Sequence, residues 1–222
     1  MEYTIPDKYQ MDREEAVFVA KKYLKESVYR SAFLEGIAVT FPQTEEILDG
    51  AVVNNVSAKD ISKVFGLRDG WKYILDNLDA PVDLKLLEDL HQIIAKEDVP
   101  WSALGALRTQ NVRITGTNYT PELPNPEKIH IELSKIMELP GDTDRAITIM
   151  LYIMRTQPFL DGNKRIGTLV GNKILVSTGR GIFSLPPELK EDFSEKLVRF
   201  YESGDMDEIK ELIYEKCLTG LS

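Results

Sequence analysis

A mainly α-helical fold with one small hairpin is predicted for this 222-residue chain, on three observations. Apolar residues recur at i, i+3 and i+4 over most of its length. One stretch, Gly105 to Pro124, drops that spacing for an alternation of apolar and polar residues. A short polar run, Arg155-Thr156-Gln157-Pro158-Phe159-Leu160-Asp161-Gly162-Asn163-Lys164-Arg165, sits between two strongly apolar helical patterns, and the rest of the chain reads as its support.

Residues 1 to 12 show no period and read as a loosely ordered lead-in. Asp12 is placed to cap a helix over Arg13 to Leu34, with Ala16, Ala20, Leu24, Ser27 or Val28, Ser31 and Glu35 along one stripe. Gly36 then supplies a C-cap, so that Glu35 projects from the last turn beside Ser31. A glutamate at a helix end is by itself an ordinary solvated residue. Residues 41 to 57 form a connector with a short helix from Thr44 to Leu48. Ser57 caps a helix through Phe65, and Asp69 or Gly70 opens another that carries Trp71, Ile74, Leu75 and Leu78.

From Asp83 to Ala95, Leu84, Leu87, Leu90, His91 and Ile94 mark an amphipathic helix. His91 lies on its apolar side and is expected to be a hydrogen-bonded core residue rather than a metal ligand, and the same is expected of His130. Val112 and Ile114 alternate with Asn111, Arg113 and Thr115 ahead of a turn at Gly116, which predicts a short hairpin. Such a piece is either a connector folded onto the core or an edge that captures an extended segment by strand addition. Asn125 and Pro126 open a helix containing Ile129, Leu133, Ile136 and Met137. Ala146 to Met154 form a helix buried nearly all round, stopped by Pro158, with Gln157 expected to be extended because it precedes proline. Phe159 is the expected anchor of the loop. A second helix begins at Asp161 to Asn163 and runs to Gly179. Pro186-Pro187 opens a helix through Tyr201, and Gly204-Asp205 separates it from a last one ending near Leu218.

Composition narrows the function. With 43% hydrophobic residues the chain can bury a substantial core. No run of 18 or more apolar residues and no basic-then-apolar N-terminus is present, which predicts a cytoplasmic protein with no membrane span. Cys217 is the single cysteine, in keeping with a reducing compartment. A net charge of −9 argues against duplex nucleic acid as the main partner.

The start of the helix at Asp161 to Asn163 points backbone N–H groups and the positive end of the macrodipole outward, a glycine lets an anion approach, and Lys164 and Arg165 add charge. That arrangement predicts a phosphate site. Asp161 beside it is the natural carboxylate for magnesium, which proteins usually hold with one or two carboxylates and the substrate's own phosphate oxygens. The run also nearly fits a P-loop through Gly162-x-x-x-x-Gly167-Thr168, but that lysine and the preceding strand are missing.

These residues resemble the core motif of Fic proteins, H-x-F-x-[D/E]-G-N-[G/K]-R-x-x-R, with two departures: the histidine is Gln157 and the final arginine is Thr168. The segment Ser31-x-x-x-Glu35-Gly36 resembles the family's inhibitory motif. The pattern Gly105-x-x-Arg108, Val112-x-Ile114-x-Gly116 and Tyr119-x-Pro121 is similar to the family's flap. The resemblance implies a Fic-like helical bundle divided into an N-terminal helical region carrying the inhibitory helix (1–80), a core (81–205) and a C-terminal helix packed on it (206–222). It implies ATP or another nucleotide held by Gly162, Asn163, Lys164 and Arg165, with magnesium on Asp161. It further implies inhibition by Ser31, Glu35 and Gly36, and a protein target whose hydroxyl side chain is docked on Val112, Arg113, Ile114 and Gly116. Family members usually transfer AMP from ATP to that hydroxyl, with the histidine as general base. Gln157 cannot accept the proton usefully near neutral pH, so Gln157 and Asp161 are carried over as the catalytic positions of a weak or altered adenylyltransferase. The alternatives are a nucleotide- or partner-binding module without chemistry, and a protein kinase like the death-on-curing branch. The target, the nucleotide and any homo-oligomer stay open at this point.

Overall fold

The computed structural model describes residues 5–221, and among them the chain forms ten α-helices and one two-stranded sheet. In chain order the helices are α1 (Arg13–Lys22), α2 (Leu24–Leu34), α3 (Phe41–Leu48), α4 (Ala58–Asp76), α5 (Leu84–Ile94), α6 (Pro126–Met137), α7 (Asp142–Thr156), α8 (Asn163–Ser177), α9 (Lys190–Ser203) and α10 (Asp207–Lys216). The sheet pairs β1 (Ile182–Phe183) with β2 (Leu218–Thr219), antiparallel, with Ile182 opposite Thr219. It joins the segment after α8 to the end of the chain. No helix among the described residues is long and apolar enough to cross a membrane.

Helix α8 is the axis of the molecule. Every residue from Arg165 to Val176 is buried, because α7, α4, α5, α1 and β1 all pack around it. Its closest partner is α7. A Cβ on Gly167 would lie 2.7 Å from the Met150 carbonyl oxygen, and one on Gly171 would lie 3.1 Å from that of Ala146. The two glycines therefore let the helices meet backbone to backbone, which fixes both ends of the loop between them.

Several elements differ from the sequence expectation for identifiable reasons. Helices α1 and α2 are two pieces, separated at Tyr23, where one helix was expected over Arg13 to Leu34. Asp12 caps α1 in a reciprocal box with Glu15. Helix α3 starts earlier than Thr44, since Thr40 caps it through Gln43 and Pro42 is accepted in its first turn. Helix α4 is one continuous element through Gly66 and Gly70, where a break was expected. Gly70 is a packing glycine, since a Cβ there would lie 2.6 Å from Leu169, while a Cβ on Gly66 would meet the Ile93 carbonyl at an ordinary 3.4 Å. The lead-in, of which residues 1–4 lie outside the described residues, is ordered from Ile5. Ile5 is fully buried, Asp7 accepts from the Thr143 amide at 2.9 Å, and the Met11 amide donates to Gly179 at 2.9 Å. Single hydrogen bonds to helix ends give order without leaving a hydrophobic period. His130, expected inside, is exposed on α6.

Candidate functional site

The loop between α7 and α8 is tied by its own side chains. Gln157 is left-handed, at φ 48 and ψ 61, where an extended residue was expected before Pro158. In that conformation its amide still donates to Ile153 at 3.1 Å, closing the last turn of α7 in the manner of an αL cap. A non-glycine residue in this region costs about 1–2 kcal/mol, and the surroundings hold it there. Arg108 Nε donates to the Gln157 carbonyl at 2.6 Å. The Gln157 side chain donates to Met154 at 2.6 Å through Nε2 and accepts from Asn163 Nδ2 at 2.8 Å through Oε1. Asn163 also exchanges hydrogen bonds with both backbone groups of Phe159, at 3.0 and 2.9 Å. Phe159 is fully buried and stacks on His91, with ring centroids 4.3 Å apart. His91 in turn accepts from the Gly105 amide at 2.8 Å. Burial, with Arg165 nearby, pushes His91 down to about 4, so the ring is neutral.

Gly162, at φ +79, turns the chain into α8. Asp161 accepts from the Gly162 amide through Oδ1, while its side chain remains 54% exposed. Arg165, one turn into α8, is buried and faces three carboxylates: Asp98 at 2.6 Å, Asp161 at 3.3 Å and Glu35 at 3.8 Å. Burial alone would lower the Arg165 pKa, but Glu35, Asp98 and Asp161 together raise it. Asp98, buried as well, also pairs with Lys63 at 2.6 Å. Burial would raise the Asp98 pKa, yet Arg165 and Lys63 hold it below the usual carboxylate range.

Glu35 is the C-cap residue of α2, with Gly36 behind it at φ +71. Its carboxylate crosses to the start of α8, 3.2 Å from Lys164 Nζ and 3.8 Å from Arg165 Nε. Both Glu35 Oε1 and Arg165 Nε are buried without an aligned hydrogen bond. The cation pair thus holds an anionic group that its hydrogen-bond geometry does not saturate. Ser31, Glu35, Lys164 and Thr168 line one narrow cleft of about 10 Å³, closed by Phe183 and Leu185.

The flap segment lies across the loop without strands. Residues 106–125 form no ladder among the described residues, which corrects the expected hairpin at Val112 to Gly116; the two-stranded sheet is β1–β2 instead. Val112 and Ile114 are half-buried and Arg113 is exposed, so the alternation is real. Ile114 packs against the core, and a turn at Gly116, φ +84, closes the segment. Arg108 anchors the segment. Besides Gln157, its buried guanidinium donates to the carbonyls of Gln110 at 2.9 Å, Pro121 at 3.3 Å and Thr156 at 3.4 Å, as well as to Glu122.

The structure thus brings together Gln157, Asp161, Gly162, Asn163, Lys164 and Arg165 with Ser31, Glu35 and Gly36, and lays Val112 to Gly116 along the segment that Arg108 ties to Gln157. The Asn163 side chain is committed to the loop, leaving only its backbone amide for a ligand. Asp98, Lys63 and the carbonyl clamp of Arg108 were not legible as site residues. Asp98 lies in Lys96-Glu97-Asp98, which reads as a solvated run. Among the described residues no group of three or more His, Cys, Asp or Glu side chains is placed to hold a metal. A single carboxylate such as Asp161, with its second oxygen toward solvent, fits magnesium only together with a nucleotide's phosphates.

Residues 81–175 match a family model described as the Fic/DOC family. Protein adenylyltransferase fic-1 of Caenorhabditis elegans is 24% identical over 179 residues, covering 75% of this chain and 34% of that protein. Its Caenorhabditis briggsae counterpart matches over the same shares. The chain therefore spans about a third of the length of these curated relatives, 34% in each case. Among solved structures, a fragment of C. elegans Fic-1 superposes with a TM-score of 0.72 at 20% identity, over 90% of this chain and 64% of that one. A Fic domain containing signaling protein from Bacteroides thetaiotaomicron gives 0.71 at 20% identity, over 92% and 86%. Residues 81–175 thus match the Fic/DOC family model, and the chain as a whole has the fold of the solved Fic proteins.

Proposed function

We propose that this protein binds the phosphates of ATP at the start of α8 and transfers AMP to a hydroxyl of a protein target, with activity limited by Gln157. The observation that carries the reading is the Glu35 carboxylate at Lys164 and Arg165, an internal anion resting where a phosphate would be held. Lys164 is one-third exposed and accessible to a ligand, and the amides at the α8 N-terminus add the positive end of its dipole. Arg165 lies deeper and holds the loop together through Asp98 as much as it faces the ligand. Magnesium on Asp161 would screen the phosphate charge when nucleotide is bound. The reading that Ser31, Glu35 and Gly36 form a brake follows from the same contact: phosphate and Glu35 compete for one pair of cations. The target would lie along Val112, Arg113, Ile114 and Gly116, whose backbone has no ladder partner.

What Gln157 can do decides the rate. Its amide oxygen is taken by Asn163 and its amide nitrogen by Met154, and a carboxamide accepts no proton near neutral pH. General-base assistance is worth ~10²–10⁴-fold, and that share would be absent, leaving positioning and phosphate stabilisation. A second reading, a binding module without chemistry, is favoured by the same saturated hydrogen bonding of Gln157.

Intact-mass analysis after incubation with magnesium and ATP separates these. Gln157→His, which places a base on a loop already fixed by Pro158 and Phe159, is expected to bring AMP addition to the protein itself or to a lysate protein. A variant that binds ATP and yields no adduct would leave the binding module. Addition of a phosphate instead of AMP would indicate a kinase.

A further inference from the structure

A cavity lies outside the loop that would hold nucleotide. About 460 Å³ in volume, it is walled by the segment following the flap, α6, the end of α7 and the α9–α10 junction. That volume is in the range of ligand-binding clefts. Arg155 is central to its chemistry. Its guanidinium lies 4.2 Å from the Tyr119 ring and 5.8 Å from that of Phe200, and its Nε donates to the Tyr201 carbonyl at 3.2 Å. The two acidic residues on the wall already hold lysines: Glu122 pairs with Lys128 at 2.6 Å and Glu132 with Lys135 at 2.7 Å. Arg155 has no carboxylate within ion-pair distance among the described residues. A guanidinium set against the Tyr119 ring and tied through Nε to Tyr201, with its terminal nitrogens unassigned, is a preorganised receptor for a carboxylate. Leu123 and Met206 give the rest of the cavity an apolar surface.

The cavity also adjoins the reactive loop. Thr156 and Pro158, the neighbours of Gln157, both line it, as does Tyr119 at the end of the flap segment. An extended polypeptide lying on the flap advances ~3.3 Å per residue, so one whose hydroxyl reached Gln157 would carry its next few side chains over this opening. We propose that the cavity is a specificity subsite for the protein target. It takes an acidic side chain, flanked by an apolar one, within three residues of the modified hydroxyl, and Arg155 receives the carboxylate. This rests on the reading that the target is a protein docked on the flap.

Fluorescein-labelled seven-residue peptides test it, each with a central threonine, one leucine, and a glutamate moved through positions −3 to +3, against matching peptides with glutamine. Anisotropy with the full chain should show about five- to twenty-fold tighter binding for at least one glutamate position over its glutamine partner, the range of one charged hydrogen-bonded pair. That preference should vanish in Arg155→Gln, and in Met206→Trp, which fills the cavity and leaves Arg155 in place. The second variant carries the test if the first fails to fold. No preference at any position, or a preference that survives Met206→Trp, overturns the proposal, and so does free glutarate binding as tightly as the best peptide. The readout is peptide binding alone, so a failed nucleotide or AMP-transfer assay leaves it standing.

Discussion

Replacing Glu35 by glycine is the most direct perturbation of the candidate nucleotide site. Its carboxylate is 3.2 Å from Lys164 and 3.8 Å from Arg165, with side-chain exposures of 14%, 34% and 4% respectively. The Lys164 contact is partly solvated, which limits it to ~0–1 kcal/mol. The Arg165 contact is buried, but Arg165 keeps Asp98 and Asp161 after the substitution, so only part of its interaction is released. A phosphate that no longer has to displace Glu35 should then gain ~0.7–1.4 kcal/mol, a three- to ten-fold tighter Kd for ATP. Glycine at the end of α2 also weakens the helix, by up to ~1 kcal/mol in an interior position and less at a cap. Glu35→Gln separates the two effects, since it removes the charge and keeps the side chain. Calorimetric titration of both variants with magnesium and ATP, beside their melting temperatures, reads the result. Unchanged ATP affinity in both, with a lower Tm for the glycine variant alone, would show Glu35 to be a helix terminus and refute the competition argument.

Lys164→Ala should weaken ATP binding by about 1 to 2 kcal/mol with little change in Tm, because Lys164 is the accessible cation of the pair; equal affinity by calorimetry would remove the phosphate assignment. Arg165→Ala should act mainly on stability, by about 3 to 5 kcal/mol, because it leaves Asp98 buried beside Lys63 alone; a melting curve like that of the wild type would contradict this account of the triple carboxylate cage. His91 should give the fold a pH dependence. Its pKa is about 4 folded against 6.5 in the reference state, so the unfolded chain binds more protons between those values and stability falls as pH falls. The loss should be about 1.5 kcal/mol from pH 6.5 to 5, read by denaturant midpoints. The slope should flatten in His91→Gln, and a slope unchanged by that substitution would assign it to other groups.

Elements with one apolar face and a capping residue were legible in the sequence: Asp12, Ser57 and Asn125 all cap the helices expected of them. Glycine was the ambiguous letter. Gly36 and Gly179 do terminate helices, whereas Gly70 sits inside α4 because α8 approaches too closely for a side chain, and Gly66 lies inside it against α5 at ordinary contact distance. A single sequence shows the glycine and hides the neighbour. The run from Gln157 to Arg165 was legible as a turn onto a helix start, but the left-handed state of Gln157 was not, since it depends on Arg108 from 49 residues away. Asp98 was hidden for a related reason: a buried aspartate between two cations has the same local sequence as a solvated one. The alternation at Val112 to Gly116 was read correctly as two faces and wrongly as paired, because alternation says nothing of a partner strand.

That last difference bears on what the segment from Gln110 to Tyr119 is able to do. At one end it is fastened by the carbonyl bonds of Arg108, and at the other by the contact of Tyr119 with the Arg155 guanidinium. Its middle contributes backbone donors and acceptors to no sheet. A free loop of this length would lose considerable conformational entropy on pairing with another chain, of the order of 1 kcal/mol for each residue ordered. A loop whose ends are already fixed, and whose Ile114 is already packed on the core, has much of that loss behind it before any partner arrives. The missing second strand therefore leaves a surface of low ordering cost, whose affinity for an extended chain should depend on backbone hydrogen bonds more than on sequence, with discrimination left to whatever lies at its two fixed ends.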